Sequence, residues 1–448
     1  MALVKNLNYG SNKPISASGK PEILRYRSDN SEYKSGDVLR IEIPTGRQGQ
    51  HAFPQDSYLE AKISVNYTSL NNGASNILID QNVYSLFRRL RVLHGSNVIE
   101  DTLYCNRIWQ TIYDIQRAPT FRSSDKINLL YGDRDTGSGM PFPTVANTTA
   151  NTSTFDFCFV IPSALLGCLA TKAIPLSLCG ASSIYLELEL ESASQAFVIE
   201  DATKVSSINY FTLSEIYYNA KTVSLPYDIE KAIIEESGGI MNLPAVAYKG
   251  ELKTCSANSG SFNDKFAFQH SSIKNFLFFM QNSVSTTASN ARSITQRPSQ
   301  HLREWNLLLN GESYPSQPIN TYSKMYMELL RSFDMMTDTN NGGFIDRDEY
   351  LAENAATVAG QLADDVQASI EIKRFVAGID LDRFNHSSDL LMSGTNTVGN
   401  TVNLNLLFGS DTIGGVVFAS PLQQTNIYAF IQYDLNIKLQ NGLLQAMY

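Results

Sequence analysis

One segment of the sequence has side chains whose types and spacing could bind a metal cation. From Asp338 to Glu349, a twelve-residue stretch carries a carboxylate at its first position, an amide at its third, adjacent glycines near its middle and a carboxylate at its end. Calcium prefers oxygen ligands of this kind, arranged around a tight turn. The expected ligands are the side-chain oxygens of Asp338, Asn340 and Glu349 and the carbonyl oxygen of Phe344.

The same segment resembles the calcium loop of EF-hands, because residues 322–336 and 349–361 on either side have helix-like sequence. Position five of the loop is Gly342, which offers no side-chain ligand, and the loop stands without a partner loop. Two interpretations therefore stay open: a calcium site, and a solvated helix-turn-helix insertion that binds nothing.

The chain is poor in the groups that catalysis requires. None of its five histidines lies in an H-E-x-x-H arrangement, and there is no G-x-S-x-G turn or G-x-x-x-x-G-K-[ST] phosphate loop. His94 lies in a turn sequence and His386 in a serine-rich loop, so both are expected at the surface. We expect no catalytic residues, no enzymatic activity and no required cofactor; calcium is the one candidate ligand.

Three glutamates, Glu187, Glu189 and Glu191, alternate with leucines. Alternation with period two places such residues on one face of a strand, while the leucines face a core. We expect all three carboxylates on an outward face, where solvent or a subunit contact explains them better than acid–base catalysis.

Composition bounds the class of protein. The 448 residues are enough for two or three domains, and charged residues make up 18% of the chain, against a typical value of about 25%. Low surface charge leaves surface available for burial against partners. The net charge of −9 opposes sequence-independent binding to phosphate backbones, so no direct contact with nucleic acid is expected.

The cysteines and the N-terminal sequence indicate the compartment. Five cysteines form no C-x-x-C pair and are odd in number, which predicts buried free thiols and folding in a reducing interior. The first residues have no apolar core of signal-peptide type, and no stretch approaches about 18 consecutive apolar residues. We expect a chain that is neither secreted by that route nor membrane-spanning.

The elements that must position these residues follow a long internal repeat. In the first half, an apolar strand pattern is followed by a turn with Gly95 and then by a helix-like stretch. The second half has the same order: an apolar strand pattern, a turn with Gly311 and a helix-like stretch. The helix-like stretches are residues 103–115 and 322–333. The alternating strand from Ile184 recurs from Val402, so the second set of landmarks follows the first in the same order and with nearly the same spacing.

Alternating strands separated by clusters of Gly, Pro, Asn and Ser are typical of all-β sandwiches. We therefore predict two consecutive β-sandwiches that share one strand pattern. The expected divisions are an N-terminal arm of residues 1–36, a first sandwich of 37–223, a linker of 224–244 and a second sandwich of 245–448, with a helical insertion at about 335–369. The arm is mildly basic and is expected to become ordered only against a neighbour.

Two tandem sandwiches, each with a short helix after its central hairpin, resemble the double jelly-roll major capsid proteins of the adenovirus and membrane-containing phage lineage. The resemblance covers residues 37–448 and rests on architecture, with segments such as 308–311 and 378–381 similar in character. It implies two eight-stranded jelly rolls with short helices in inter-strand loops. The chain is shorter than an adenovirus hexon, so large surface towers are not expected.

The resemblance also implies a function. Such proteins form homotrimers whose six jelly rolls make a pseudo-hexameric capsomer, and these capsomers tile an icosahedral virion shell assembled inside the infected host cell. Implied partners are the chain itself, neighbouring capsomers, and penton and minor capsid proteins. The N-terminal arm would face inward, towards an internal membrane or a minor protein. The alternative is a tandem β-sandwich carbohydrate-binding or adhesin protein.

Overall fold

The computed structural model of the chain describes residues 19–69, 75–117, 124–131, 141–199, 205–283, 296–335, 345, 350–351, 374–382, 393–413 and 416–447. In these residues the regular structure is mostly antiparallel β-sheet. The strands of the first half are β1 (Lys20–Arg27), β2 (Glu32–Lys34), β3 (Val38–Ile43), β4 (Gln50–Ser69), β5 (Asn76–Ile79), β6 (Phe87–His94), β7 (Asn97–Leu103), β8 (Phe142–Pro143), β9 (Thr149–Asn151), β10 (Phe155–Phe159), β11 (Ile184–Leu190), β12 (Phe197–Ile199) and β13 (Val205–Ser224).

The second half repeats this strand-rich pattern. Its strands are β14 (Ile240–Cys255), β15 (Ser261–Phe266), β16 (Ile273–Asn282), β17 (Leu302–Leu309), β18 (Glu312–Ile319), β19 (Ala377–Asp380), β20 (Val402–Phe408), β21 (Ser410–Ile413), β22 (Val416–Ala419), β23 (Thr425–Gln440) and β24 (Leu443–Met447). The α-helices of the described residues are α1 (Cys105–Gln116), α2 (Ala193–Ala196), α3 (Tyr227–Ser237) and α4 (Tyr322–Ser332). Within the described ranges, 3-10 turns lie at Val83–Leu86 and Ser124–Lys126.

Both halves have the same sheet topology. The first half contains the strand orders β1-β13-β4-β10 and β3-β11-β6-β7, and the second contains β14-β23-β16-β19 and β15-β20-β17-β18. When these eight strands of each half are numbered along the chain, both halves read 1-8-3-6 and 2-7-4-5. This is the eight-stranded jelly roll. The prediction of an all-β chain with two tandem jelly rolls is confirmed.

Period-two alternation builds the cores of both rolls. In β11 the side chains of Ile184, Leu186 and Leu188 are buried, and in the equivalent β20 Val402 and Leu404 are buried. Each strand presents one face to the opposite sheet, and each buried aliphatic side chain contributes about 1.5–3 kcal/mol of transfer free energy. The β strands thus form because every second residue is apolar.

The predicted hairpins and helices are present. Strands β6 and β7 connect through Gly95 with φ of 61°, and β17 and β18 connect through Asn310 and Gly311 with φ of 55° and 87°. Asn and Gly suit these left-handed positions because of their low steric cost there. The helices α1 and α4 follow these hairpins at the expected places.

The expected arm and linker contain regular structure. Strand β1 pairs with β13 along its whole length, so residues 20–27 are ordered by their own chain, and the expectation that they need a neighbour is wrong. The cause is the second edge of β13: one edge pairs with β4, and on the other edge residues 217–224 offer backbone partners to β1. Within residues 224–244, α3 ends at Ser237 and is capped by Gly238, which adopts a left-handed φ of 61°. Among the described residues, no helix is long and apolar enough to cross a membrane.

Candidate functional site

The expected calcium ligands lie outside the described residues. Asp338, Asn340, Phe344 and Glu349 all belong to this group, as does most of the expected insertion at 335–369. The helix before the loop, α4, ends at Ser332. Within the described ranges, no group of three or more His, Cys, Asp or Glu side chains could hold a metal ion.

His94 is buried, and its expected place at the surface is wrong. Its Nε2 donates to the carbonyl of Ser182 at 2.8 Å, and its Nδ1 accepts from the backbone N–H of Leu444 at 3.1 Å. Leu444 lies in β24, the last strand of the second roll. His94 therefore joins the two rolls. His386 lies outside the described residues.

The three glutamates do not share one outward face. Glu187 and Glu189 lie beside arginines of the neighbouring strands, as expected of outward residues. Glu191 is buried, with Asn106 donating to its Oε2 at 3.0 Å. The register shifts between Glu189 and Leu190, so the period-two pattern is interrupted before Glu191 is reached. Its carboxylate points towards α1, where Arg107 lies 3.6 Å away.

The cysteines are free thiols in the structure. Cys105, Cys179 and Cys255 are buried, Cys158 is half-buried and Cys168 is exposed. Burial raises the pKa of the Cys179 thiol to about 12, and the pKa of Cys105 also rises because of burial. Thiols with such raised pKa values are poor nucleophiles near neutral pH.

Several buried polar groups lie where the two rolls meet. Helix α1 of the first roll is covered by the second roll: Arg107 Nε donates to Gln281 at 3.3 Å, and its guanidinium lies 4.5 Å from the ring centroid of Tyr428. Tyr104 packs edge-on against Tyr428 at 5.3 Å. From Cys105 to Ile115, every residue of α1 except Ile112 is buried.

One ion pair crosses this junction. Arg297 Nη2 lies 2.6 Å from Asp114 Oδ2, and both side chains are fully buried. Breaking such a pair by removing one partner costs about 3–5 kcal/mol, because the remaining charge stays buried. The pair therefore disfavours any displacement of the two rolls that would part these charges while either stays buried.

The strand edges of the two rolls also meet. Thr102 of β7 donates its hydroxyl to the carbonyl of Tyr248 in β14 at 2.9 Å. A Cβ on Gly250 would lie 2.7 Å from the carbonyl oxygen of Leu103, so glycine is needed for this close approach. Ala170 and Ala245 form a β-bridge nearby. Backbone contacts and buried side chains thus join the rolls along one side.

Glu100 of β7 is a buried carboxylate close to this edge. Its Oε2 accepts from Ser163 Oγ at 2.6 Å and from the Ala164 N–H at 2.9 Å. Burial raises its pKa to about 7, in spite of the hydrogen bonds that favour the charged form. Its role here is structural, since its neighbours are loop residues of its own roll.

Sequence reasoning missed the junction residues Arg107, Asp114 and Arg297. A signal was available for two of them: Arg107 and Asp114 are two helical turns apart and so lie on the same face of α1. Arg297, the partner of Asp114, lies in the second half of the chain and has no local pattern that would reveal it.

Comparison with known proteins gives similarity of fold without similarity of sequence. No family model matches the chain, and no curated protein matches it significantly. Similar solved structures include the PBCV-1 virus capsid (10% identity, TM-score 0.59, covering 98% of this chain and 99% of that one). Two others are the major capsid proteins of Faustovirus (7%, 0.55, 98% and 93%) and of mavirus (9%, 0.54, 100% and 95%). With both rolls included in each match, the chain has the double jelly-roll fold of these capsid proteins.

Proposed function

We propose that this chain is a major capsid protein, a structural subunit that forms homotrimers with a pseudo-hexameric outline and tiles an icosahedral virion shell. The observation that carries the proposal is the repeated topology, with two jelly rolls of identical strand order held by one buried junction. Solved chains with this complete fold include capsid components.

The geometry explains why duplication serves a shell. A closed ring of three identical chains has three-fold symmetry, but if each chain contributes two similar wedges the ring has six similar sides. For this outline to be regular, the two wedges of one chain must keep a constant relative placement. The buried Asp114–Arg297 pair and the backbone contacts near Gly250 supply that constraint.

The alternative, a tandem carbohydrate-binding or adhesin protein, fits the strands but not the junction. Binding modules in tandem usually fold and bind independently of each other, and the interfaces between such domains are small and polar. Here α1 is buried almost completely, by its own roll and, at Arg107 and Asp114, by residues of the second roll. The fold comparisons also favour a capsid role over the adhesin.

The remaining expectations follow from the proposal. The chain acts without catalysis, contacts penton and minor capsid proteins in the virion, and is assembled inside the infected host cell. Its net charge of −9 does not favour direct contact with nucleic acid. A calcium ion at Asp338–Glu349 would be a structural ligand in the second roll.

A partner for the N-terminal residues is part of the proposal. Residues 1–18 precede β1, and we propose that they contact an internal membrane or a minor protein. Deleting residues 1–18 tests this without removing β1. Recovery of intact, lipid-containing particles from this deletion would overturn the contact; particles without lipid, or none, would support it.

Multi-angle light scattering of the purified chain tests the proposed function. A species of three times the chain mass of 49.7 kDa is expected, together with no retention on a glycan array. A strictly monomeric protein with measurable affinity for a sugar would favour the adhesin instead.

A further inference from the structure

Helix α4 is the counterpart of α1, but its outer face is open. The hairpins before the two helices have the same register: Arg89 pairs with Leu103 in the first roll, and Trp305 pairs with Ile319 at the equivalent place in the second. Helices α1 and α4 begin shortly after these pairs, at Cys105 and Tyr322. Aligning the two first residues matches each residue of α1 to a residue of α4.

The matched residues differ in burial. On α1, Arg107, Gln110 and Asp114 lie along one face, and all three are buried. Their counterparts on α4 are Lys324, Met327 and Arg331, and all three are exposed. Met327 exposes 45% of its surface, so an apolar side chain open to solvent lies in the middle of this α4 face.

The surface that covers α1 belongs to the second roll and also has a counterpart. Tyr428 of β23, which contacts Arg107 and Tyr104, corresponds to Tyr210 of β13. The number of residues between Tyr210 and Tyr428 equals the number between the first residue of β11 and the first residue of β20. The two strands that carry the tyrosines have equivalent places in their sheets, because β13 pairs with β1 and β2 as β23 pairs with β14. Tyr428 pairs with Leu252 of β14, whereas the β2 pairs lie at residues 212–214, next to Tyr210.

Tyr210 is half-buried and lies beside an exposed polar strip. Lys34 lies 5.0 Å from its ring centroid, and the neighbouring Asn209 and Asn66 are joined by a hydrogen bond of 2.8 Å. This surface occupies, on the first roll, the place where the second roll receives α1.

We propose that the outer face of α4 in one copy of the chain docks on the Tyr210 surface of a second copy, repeating between chains the junction that joins the two rolls within a chain. The inference rests on the proposed function and names the residues through which it would act. The occupant is a second copy because the chain already contains the same pair of surfaces in contact. Such an interface is heterologous, and repetition around a ring closes it.

The two contacts differ in their charges. Lys324 takes the place of Arg107 and, in the proposed contact, meets the Tyr210 ring that Lys34 of the receiving copy also approaches. Arg331 takes the place of Asp114 and pairs with Glu328 of its own helix at 2.8 Å. The contact between copies therefore has no equivalent of the buried Asp114–Arg297 pair. Because of this, two copies dissociate from each other more easily than the two rolls of one chain separate.

Sedimentation of two surface variants tests the proposal. Met327→Glu places a charge at the centre of the α4 face, and Tyr210→Asp does the same on the receiving surface. Each variant is expected to shift from the three-chain mass to the single-chain mass. Ile127→Glu is the matched control, because Ile127 is 86% exposed and belongs to neither surface, and it is expected to stay trimeric.

A mixture of the two variants distinguishes lost docking from lost folding. Each variant keeps one intact surface, so Tyr210→Asp offers its α4 face and Met327→Glu offers its Tyr210 surface. An equimolar mixture is expected to form a two-chain species that neither variant forms alone. If the variants stay trimeric, or if their mixture stays monomeric, this interface is wrong. The proposed function would still stand in that case, provided that the wild type is trimeric. A monomeric wild type would overturn both.

Discussion

Replacing Arg297 by methionine removes the cation of the ion pair that crosses the junction. Asp114 would then be a fully buried carboxylate facing an apolar side chain, at a place where the two oppositely charged groups are now 2.6 Å apart. Loss of one partner of such a pair costs about 3–5 kcal/mol. For a cooperative unit of roughly 200 residues this corresponds to a fall in melting temperature of roughly 6–20 °C.

Urea denaturation and calorimetry of the Arg297→Met variant measure this loss. The double variant Asp114→Asn with Arg297→Met is expected to recover most of it, because neither charge of the pair remains buried without the other. Lys221→Met is the matched control, since the Lys221–Asp56 pair is about half exposed and worth about 1 kcal/mol or less. A loss below about 1 kcal/mol for Arg297→Met, equal to the control, would refute the role given to this pair.

Three further predictions concern titration and metal binding. Because burial raises the pKa of Glu100 to about 7, the folded chain holds a proton that the unfolded chain releases above its ordinary pKa of 4.5. Stability is therefore expected to fall by roughly 3 kcal/mol as pH rises from 4.5 to 7, and Glu100→Gln should remove this slope in a pH series of melting curves. Burial lowers the pKa of His270 from 6.5 to about 4, so the unfolded chain binds the extra proton and stability should rise with pH between 4 and 6.5. His270→Phe, whose ring can keep the stacking on Tyr433, should flatten that part of the curve; an unchanged slope would contradict the assignment. Calorimetric titration of calcium should give heat with the wild type and little with Glu349→Gln, whereas identical heats would exclude the calcium loop.

Much of the fold can be predicted because its strands carry local patterns. The alternation from Ile184 to Leu190 and from Val402 to Phe408 marks one buried face in each roll, and the recurrence of the pattern reveals the duplication. The turns at Gly95 and Asn310 are also visible in the sequence, since both need backbone conformations that few residues adopt. These features depend on neighbours in sequence.

The features that sequence reasoning misses depend on distant partners. Strand β1 has the weak alternation of an edge strand, which favours an arm, and its order comes from pairing with β13 at the far end of the first roll. His94 borders a turn, which favours the surface, but β24 covers it. Glu191 follows a register shift that cannot be predicted from the alternation of leucine and glutamate. In each case a contact across the fold decides the burial.

The junction shows the same limit most clearly. Asp114 and Arg297 are ordinary charged residues in their local sequences, and only the packing of one roll on the other brings them together. A pattern of period two or 3.6 reports the face that a residue occupies, and it does not report the element that will cover that face.

Electron microscopy of the purified, negatively stained protein tests the central claim most directly. If three chains form a pseudo-hexameric capsomer, class averages should show three-fold particles with six similar densities around a ring, one for each jelly roll. Larger shells are expected at high concentration. Single two-lobed particles at every concentration would contradict the account.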